Sequence, residues 1–268
     1  FTFNEPLVIV DGAYLYQFHY PKIVDGKKAV QVAYNIALAS AKAIAAFRET
    51  NVNPQGKIGI ILNLTPSYPA TEEPEDLAAA HFANLWMNDM FLDAAVKGSF
   101  PQELVSIFEK DGVLWDATNE ELQVIRGNTI DVLGVNFYHP NRVQRPSVSA
   151  DSLAVDWLPA RYFEDYAMPG RRMNVDKGWE IYPQALYDIA LNIRDNYNNI
   201  SWFVSENGMG VSREERYLNA EGMIEDDYRI QFIQEHLYWL AKGMEQGSNC
   251  FGYHLWTPID CWSWTNAY

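Results

Sequence analysis

Four short runs of nearly continuous apolar residues punctuate the chain, at 57–64 (KIGIILNL), 130–138 (IDVLGVNFY), 200–206 (ISWFVSE) and 250–259 (CFGYHLWTPI). Each is rich in β-branched or aromatic residues, and hydrophobicity that is continuous rather than alternating predicts strands covered on both faces. Residues 1–3 predict the tail of a further strand. Between these runs the period changes. Residues 29–48 predict a helix with Val32, Ile36, Leu38, Ala39, Ala43 and Phe47 on its apolar face, and residues 226–244 predict another, with Ile230, Ile233, Leu237, Leu240 and Ala241 spaced by three or four. Strands alternating with helices imply an α/β fold with a parallel sheet, either open and doubly wound or closed into a barrel. No Gly-rich phosphate turn follows a strand, which argues against a dinucleotide-binding sheet and favours the barrel. Residues 140–182 are rich in Pro, Arg and Tyr and lack a clean period. They read as a long βα loop over the active face, which either shapes access to a site or is a structural excursion.

Composition narrows the function classes. The 268 residues, 48% of them hydrophobic, suffice for one large domain over 1–268. A formal net charge of −15 makes nucleic acid or an anionic membrane a poor partner, so any phosphate must be met by a local pocket. Two cysteines, Cys250 and Cys261, lie in apolar surroundings and read as buried free thiols in a reducing compartment, which points to the cytoplasm. No run reads as approaching a membrane span, and no signal peptide is present. The chain opens on Phe1 inside a strand end and stops at Tyr268, so it reads as a fragment. The five histidines (His19, His81, His139, His236 and His254) show no ligand spacing, and neither a metal nor a cofactor is expected. The nine tryptophans suit either sugar-ring platforms or core filler, and composition leaves both open.

Two carboxylates stand in unusual settings. Glu5 follows Asn4 at a strand end cut off by Pro6, and Glu206 closes an apolar strand just before the turn signal Asn207-Gly208. A carboxylate at the end of a buried strand is poorly solvated unless it has a partner or a reaction to perform. On this ground each is either a structural acid bonded to backbone or arginine, or a catalytic one.

The segments TFNEP at 2–6 and SENG at 205–208 resemble glycoside hydrolase family 1. So do NFY at 136–138, GWEIYP at 178–183, DDYRIQFIQEHL at 226–237 and the segment 256–268, in matching order along the whole chain. The resemblance implies a (β/α)8 barrel present from the end of strand four, at Glu5, through strand eight, with strands one to three and the final helix outside the chain. A part of this kind is not expected to fold into a working enzyme, because its open parallel strands lack partners. The resemblance also implies Glu206 as nucleophile and Glu5 as acid/base of a retaining glycosidase, a chemistry requiring carboxyl groups about 5–5.5 Å apart. It makes Tyr138 the hydroxyl that holds the nucleophile, Asn4 the partner of the sugar 2-hydroxyl, Asn136 a neighbour of both, and Trp256 the platform under the glycone. Trp179 reads equally as a border of the leaving-group site and as packing.

The substrate is implied by the last segment. Ordinary β-glucosidases of the family carry, seven residues after the platform tryptophan, a glutamate that grips sugar hydroxyls; here that position is Ser263. A carboxylate would repel a 6-phosphate, whereas serine leaves room and donates a hydrogen bond, which resembles 6-phospho-β-glycosidases. Trp264 resembles the galactosidase version of the segment, and residues 257–260 (TPID) resemble the glucosidase version. The expectation is therefore a 6-phospho-β-glucosidase, with 6-phospho-β-galactosidase or dual specificity as the alternative, and a non-catalytic sugar-binding barrel as the alternative from another class.

Overall fold

The computed structural model describes residues 1–50, 52–148, 157–259 and 261–264. The chain divides into two compact units, Phe1–Gly134 with Asn141–Ala167, and Val135–Pro140 with Met168–Tyr268.

The first unit begins as its sequence implies. Thr2 and Glu5 donate backbone N–H groups to Gly59 and Ile61 (2.8 and 3.0 Å), and Ile61 donates to Phe3 (3.0 Å), so residues 2–5 run parallel beside β1 (Gly59–Asn63). Pro6 then opens α1 (Pro6–Tyr14), in the first helical position where its missing N–H costs nothing. After α2 (Gly26–Thr50), β1 and β2 (Ser67–Pro69), α3 (Pro74–Asn84) continues through a π turn into α4 (Met90–Val96). Next come α5 (Gln102–Lys110) and α6 (Asn119–Gly127). α6 starts at a capping box, in which Thr118 and Glu121 satisfy each other's backbone N–H groups. β3 (Val132–Asn136) contributes its first three residues here. It lies so close to β1 that a Cβ on Gly59 would stand 2.0 Å from the Val132 carbonyl oxygen. Part of the region read as a long loop is ordered as β4 (Asn141–Gln144) and β5 (Glu164–Asp165), which form a small sheet with β2. Residues 149–156 of that loop lie outside the described residues. The core is aromatic: Trp86 and Phe108 meet Trp157 at ring separations of 5.4 and 5.5 Å, and Trp157 donates to Asp111 at 2.8 Å.

The face of α2 differs from the expected one. Ala29, Val30, Ala33, Tyr34, Ala37, Leu38, Ala41 and Ile44 are buried, while Ala39, Ala43 and Phe47 are exposed. In an Ala-rich helix several stripes are apolar, and packing against α1, α4 and α6 selects the narrow one that permits close approach. This helix also corrects the reading that no run approaches a membrane span: it is 25 residues long and holds an 18-residue window with a mean hydropathy of 1.3, which satisfies length and composition. In the structure its apolar stripe is core.

The second unit holds the end of β3, the hairpin β6 (Met173–Asn174) and β7 (Trp179–Glu180), α7 (Gln184–Asn196), β8 (Trp202–Asn207), α8 (Asp227–Glu245) and β9 (Cys250–Leu255). β8 and β9 run parallel, with Trp202 opposite Cys250 and Asn207 opposite Leu255. β9 ends short of the expected Ile259, where Trp256 gives its N–H to Asn207. The helix at 226–244 forms, but Phe232, His236, Leu240 and Gly243 are its buried positions, while Ile230 and Leu237 are exposed. Gly243 lets α8 approach Ala190 of α7 so closely that a Cβ there would meet the alanine methyl at 2.5 Å. Cys250 is buried as expected, but Cys261 is exposed, because it stands in the segment beyond β9 rather than in a strand. Asp260 and residues 265–268 of the final motif lie outside the described residues.

Candidate active site

β8 changes character along its length. Trp202, Phe203 and Val204 are buried apolar residues, and the strand then ends on three polar ones, Ser205, Glu206 and Asn207. Each is tied to a neighbour within the second unit. Ser205 donates its hydroxyl to the side-chain oxygen of buried Asn136 (2.7 Å). The Tyr138 hydroxyl donates to Glu206 Oε2 at 2.6 Å. Asn207 donates to the Phe137 carbonyl (2.6 Å) and accepts from the Tyr253 hydroxyl (2.7 Å), whose own pKa burial pushes up. The Glu206 carboxylate is thereby held at the strand end by the Tyr138 hydroxyl, between two neighbours that are themselves hydrogen-bonded.

Beyond it the chain folds over a cavity of about 320 Å³ lined by Tyr138, Lys177, Trp179, Arg229, Trp256 and Ser263, among others. Gly208 makes this wall possible. A Cβ there would sit 1.8 Å from the Trp256 carbonyl oxygen, so any larger residue would push the turn after Glu206 away from the end of β9. Trp256, 38% exposed, and half-buried Ser263 both border the cavity. Trp264 is half exposed and is not among the lining residues.

In the first unit, Asn4 is exposed and pairs with Ile61 as an isolated bridge, and Glu5 is buried. Glu5 has φ 48° and ψ 56°, a left-handed conformation that costs a residue with a Cβ about 1–3 kcal/mol and is concentrated at functional positions. Pro6 and the start of α1 hold it there.

Of the residues named from sequence, the structure thus brings Tyr138, Trp179, Trp256 and Ser263 to one cavity and links Tyr138 to Glu206 and Asn136 to Ser205. Sequence reasoning passed over the ionic frame of that cavity. Arg229 pairs with Glu214 and Asp226, lies over the Tyr228 ring and donates to the Met209 carbonyl (2.9 Å). Asp176 accepts from Ser212 (2.8 Å) and Arg216 (2.6 Å), and these bonds hold its carboxyl below the usual range. Arg229 falls inside the motif at 226–237, but only contacts reveal its partners. Among the described residues no cluster of His, Cys, Asp and Glu has the arrangement of a metal site.

Comparison with known proteins agrees along the entire chain. The profile of Glycosyl hydrolase family 1 matches residues 1–268. The chain is 54% identical over 268 residues to 6-phospho-beta-glucosidase GmuD of Bacillus subtilis (strain 168), covering all of this chain and 57% of that protein. It is 30% identical over 283 residues to a 6-phospho-beta-galactosidase of Clostridium acetobutylicum, covering 58% of it. The family 1 β-glucosidase of Thermotoga maritima superimposes with a TM-score of 0.84 at 27% identity, over 99% of this chain and 55% of that structure. The chain therefore spans a little more than half the length of these relatives, and its alternating strands and helices are part of their barrel. It belongs to glycosyl hydrolase family 1.

Proposed function

We propose that the chain carries the catalytic apparatus of a retaining glycosidase acting on 6-phospho-β-D-glucosides, such as phosphorylated disaccharides or aryl glucosides. One observation supports this above the rest: a tyrosine hydroxyl 2.6 Å from the carboxylate of Glu206, at the end of a buried strand and beside a cavity. In this reading Glu206 attacks the anomeric carbon while Glu5 protonates the departing oxygen. A glycosyl ester forms on Glu206, and Glu5 then takes a proton from the water that cleaves it. Tyr138 holds the Glu206 oxygen that does not attack. Trp256 lies under the glycone, Asn4 and Asn136 meet its hydroxyls, and Ser263 faces its 6-position, while Trp264, outside the cavity lining, bears on the choice between glucoside and galactoside.

The phosphate is supported by Ser263 and by the 54% identity to a 6-phospho-beta-glucosidase. The 30% identity to a 6-phospho-beta-galactosidase keeps the galactoside as the second reading. A phosphorylated sugar is too polar to diffuse across a bilayer, so such an enzyme works in the cytoplasm, where phosphorylating uptake delivers its substrate.

The test is the kcat/KM ratio of 4-nitrophenyl 6-phospho-β-glucoside to its unphosphorylated counterpart, with the 6-phospho-galactoside alongside. The phosphorylated glucoside should lead, and Ser263→Glu should lower the ratio several hundredfold. Like unit charges about 4 Å apart at an effective dielectric near 20 cost roughly 4 kcal/mol. A ratio within threefold of wild type would show that the 6-position is not read at Ser263.

A further inference from the structure

The hairpin β6–β7 carries two side chains, Lys177 and Trp179, into the cavity, and the chemistry above gives Lys177 no role. Its backbone is tightly specified. Asn174 pairs with Trp179, Gly178 gives its N–H to Asn174 (2.9 Å) and takes a left-handed φ of 71°, and Asp176 N–H caps the Asn174 side chain (3.2 Å). The tip is also anchored to the segment after β8. Buried Asn174 donates to the Gly210 carbonyl (2.9 Å), and Asp176 binds Ser212 and Arg216. Lys177 is thus presented by a fixed turn, with its Nζ 5.7 Å from the centre of the Trp179 ring. Partial burial pushes its pKa down. The Trp179 ring in turn lies 5.4 Å from that of Tyr138.

These contacts order the cavity. Tyr138 marks the reacting carbon, because its hydroxyl holds Glu206. The cavity has two tryptophan walls on separate elements, Trp256 beyond β9 and Trp179 on β7. A β-disaccharide has two rings, one on each side of the reacting bond. With the glycone on Trp256, the second ring falls to Trp179. An ammonium held beside an indole face suits a sugar, since the indole covers the apolar face while an ammonium N–H can meet a hydroxyl oxygen at its rim. An aryl leaving group offers only the face.

We propose that Lys177 is a specificity residue for the leaving group, donating to a hydroxyl of a sugar aglycone stacked on Trp179. The proposal rests on the glycosidase reading of the cavity. It is tested with Lys177→Met and Lys177→Arg on four substrates: a β-1,4-linked glucosyl-glucose and 4-nitrophenyl β-glucoside, each with and without a 6-phosphate on the glycone. Lys177→Met should lower kcat/KM for the disaccharides at least tenfold more than for the aryl glycosides, by the same factor with or without phosphate, and Lys177→Arg should recover part of the loss. Equal losses for disaccharide and aryl substrate, or no loss, would overturn the proposal. So would a loss confined to the phosphorylated pair, which would make Lys177 a phosphate ligand. A wild type that favours unphosphorylated substrates would refute the phosphate reading while leaving the disaccharide-to-aryl comparison intact. Should no glycoside turn over, calorimetric binding of the same four compounds gives the same comparison.

Discussion

At the scale of single residues, the bond between Tyr138 and Glu206 has a measurable consequence. A hydrogen bond to a charged group contributes about 1.5–3 kcal/mol, and this one is 2.6 Å long. Tyr138→Phe keeps the ring against Trp179 but leaves that carboxylate oxygen unheld. We expect kcat/KM to fall by about 10- to 100-fold with thermal stability little changed, as read by steady-state kinetics beside a melting curve. A drop confined to KM would mean that the hydroxyl serves ground-state binding only. Glu5 is separable from Glu206 by leaving group. Glu5→Gln should slow a phosphorylated disaccharide far more than an activated nitrophenyl glycoside, because a good leaving group needs little protonation. Azide should then restore turnover of the activated substrate, since an anionic nucleophile needs no general base. Equal slowing of both substrates, without azide rescue, would point away from an acid/base role. The strand-end positions of both glutamates were legible, Glu206 because it closes an apolar run and Glu5 because Pro6 cuts off the strand before it, while their roles came from the family resemblance. Lys177 was not, because two-residue strands leave no alternation to read.

At the scale of elements, the strands were the most legible feature, since a strand buried on both faces announces itself by composition. Helices were legible as helices, but their faces were not. α8 turns inward a stripe containing Gly243 and His236, neither of which registers in a hydrophobic period, and leaves Ile230 and Leu237 exposed. Close approach of backbones, rather than apolar area, decided that face. The same principle operates at Gly208, where the turn after β8 touches Trp256. Gly208→Ala must displace one of the two backbones, a distortion of the kind that costs about 1–3 kcal/mol. If that displacement is taken up at the cavity, kcat/KM should fall at least tenfold while the melting temperature drops by only a few degrees. Tryptophan fluorescence should report the moved Trp256. Unchanged kinetics would show that the Trp256 wall can shift without affecting turnover.

At the scale of the whole molecule, two ionisable groups, half-buried Asp11 and buried His236, contribute to how stability responds to pH. Asp11 lies in α1 with Oδ1 enclosed and without a hydrogen-bond partner among the described residues. Burial pushes its pKa up to about 7, against a smaller lowering by its hydrogen bond with Trp86. His236 in α8 donates its Nδ1–H to the Phe232 carbonyl at 2.7 Å and encloses Nε2 without a partner among the described residues, and burial pushes its pKa down to about 4. The signs are opposite. A carboxyl with a raised folded pKa binds its proton more tightly in the native state, so its stabilising contribution is complete below about pH 4 and is lost as pH rises toward 7. A histidine with a lowered folded pKa is held neutral, so its contribution is complete above about pH 6.5 and is lost as pH falls toward 4. Comparison with wild type removes the remaining carboxylates from the measurement. Asp11→Asn should gain stability relative to wild type as pH rises from 4 to 7, and His236→Gln should gain relative to wild type as pH falls from 6.5 to 4. Each difference should change by at most about 1.4 kcal/mol per pH unit, read from urea melts at half-unit intervals. A difference between Asp11→Asn and wild type that stays constant across that range would show that Asp11 reaches solvent in the native state and carries its charge at no cost.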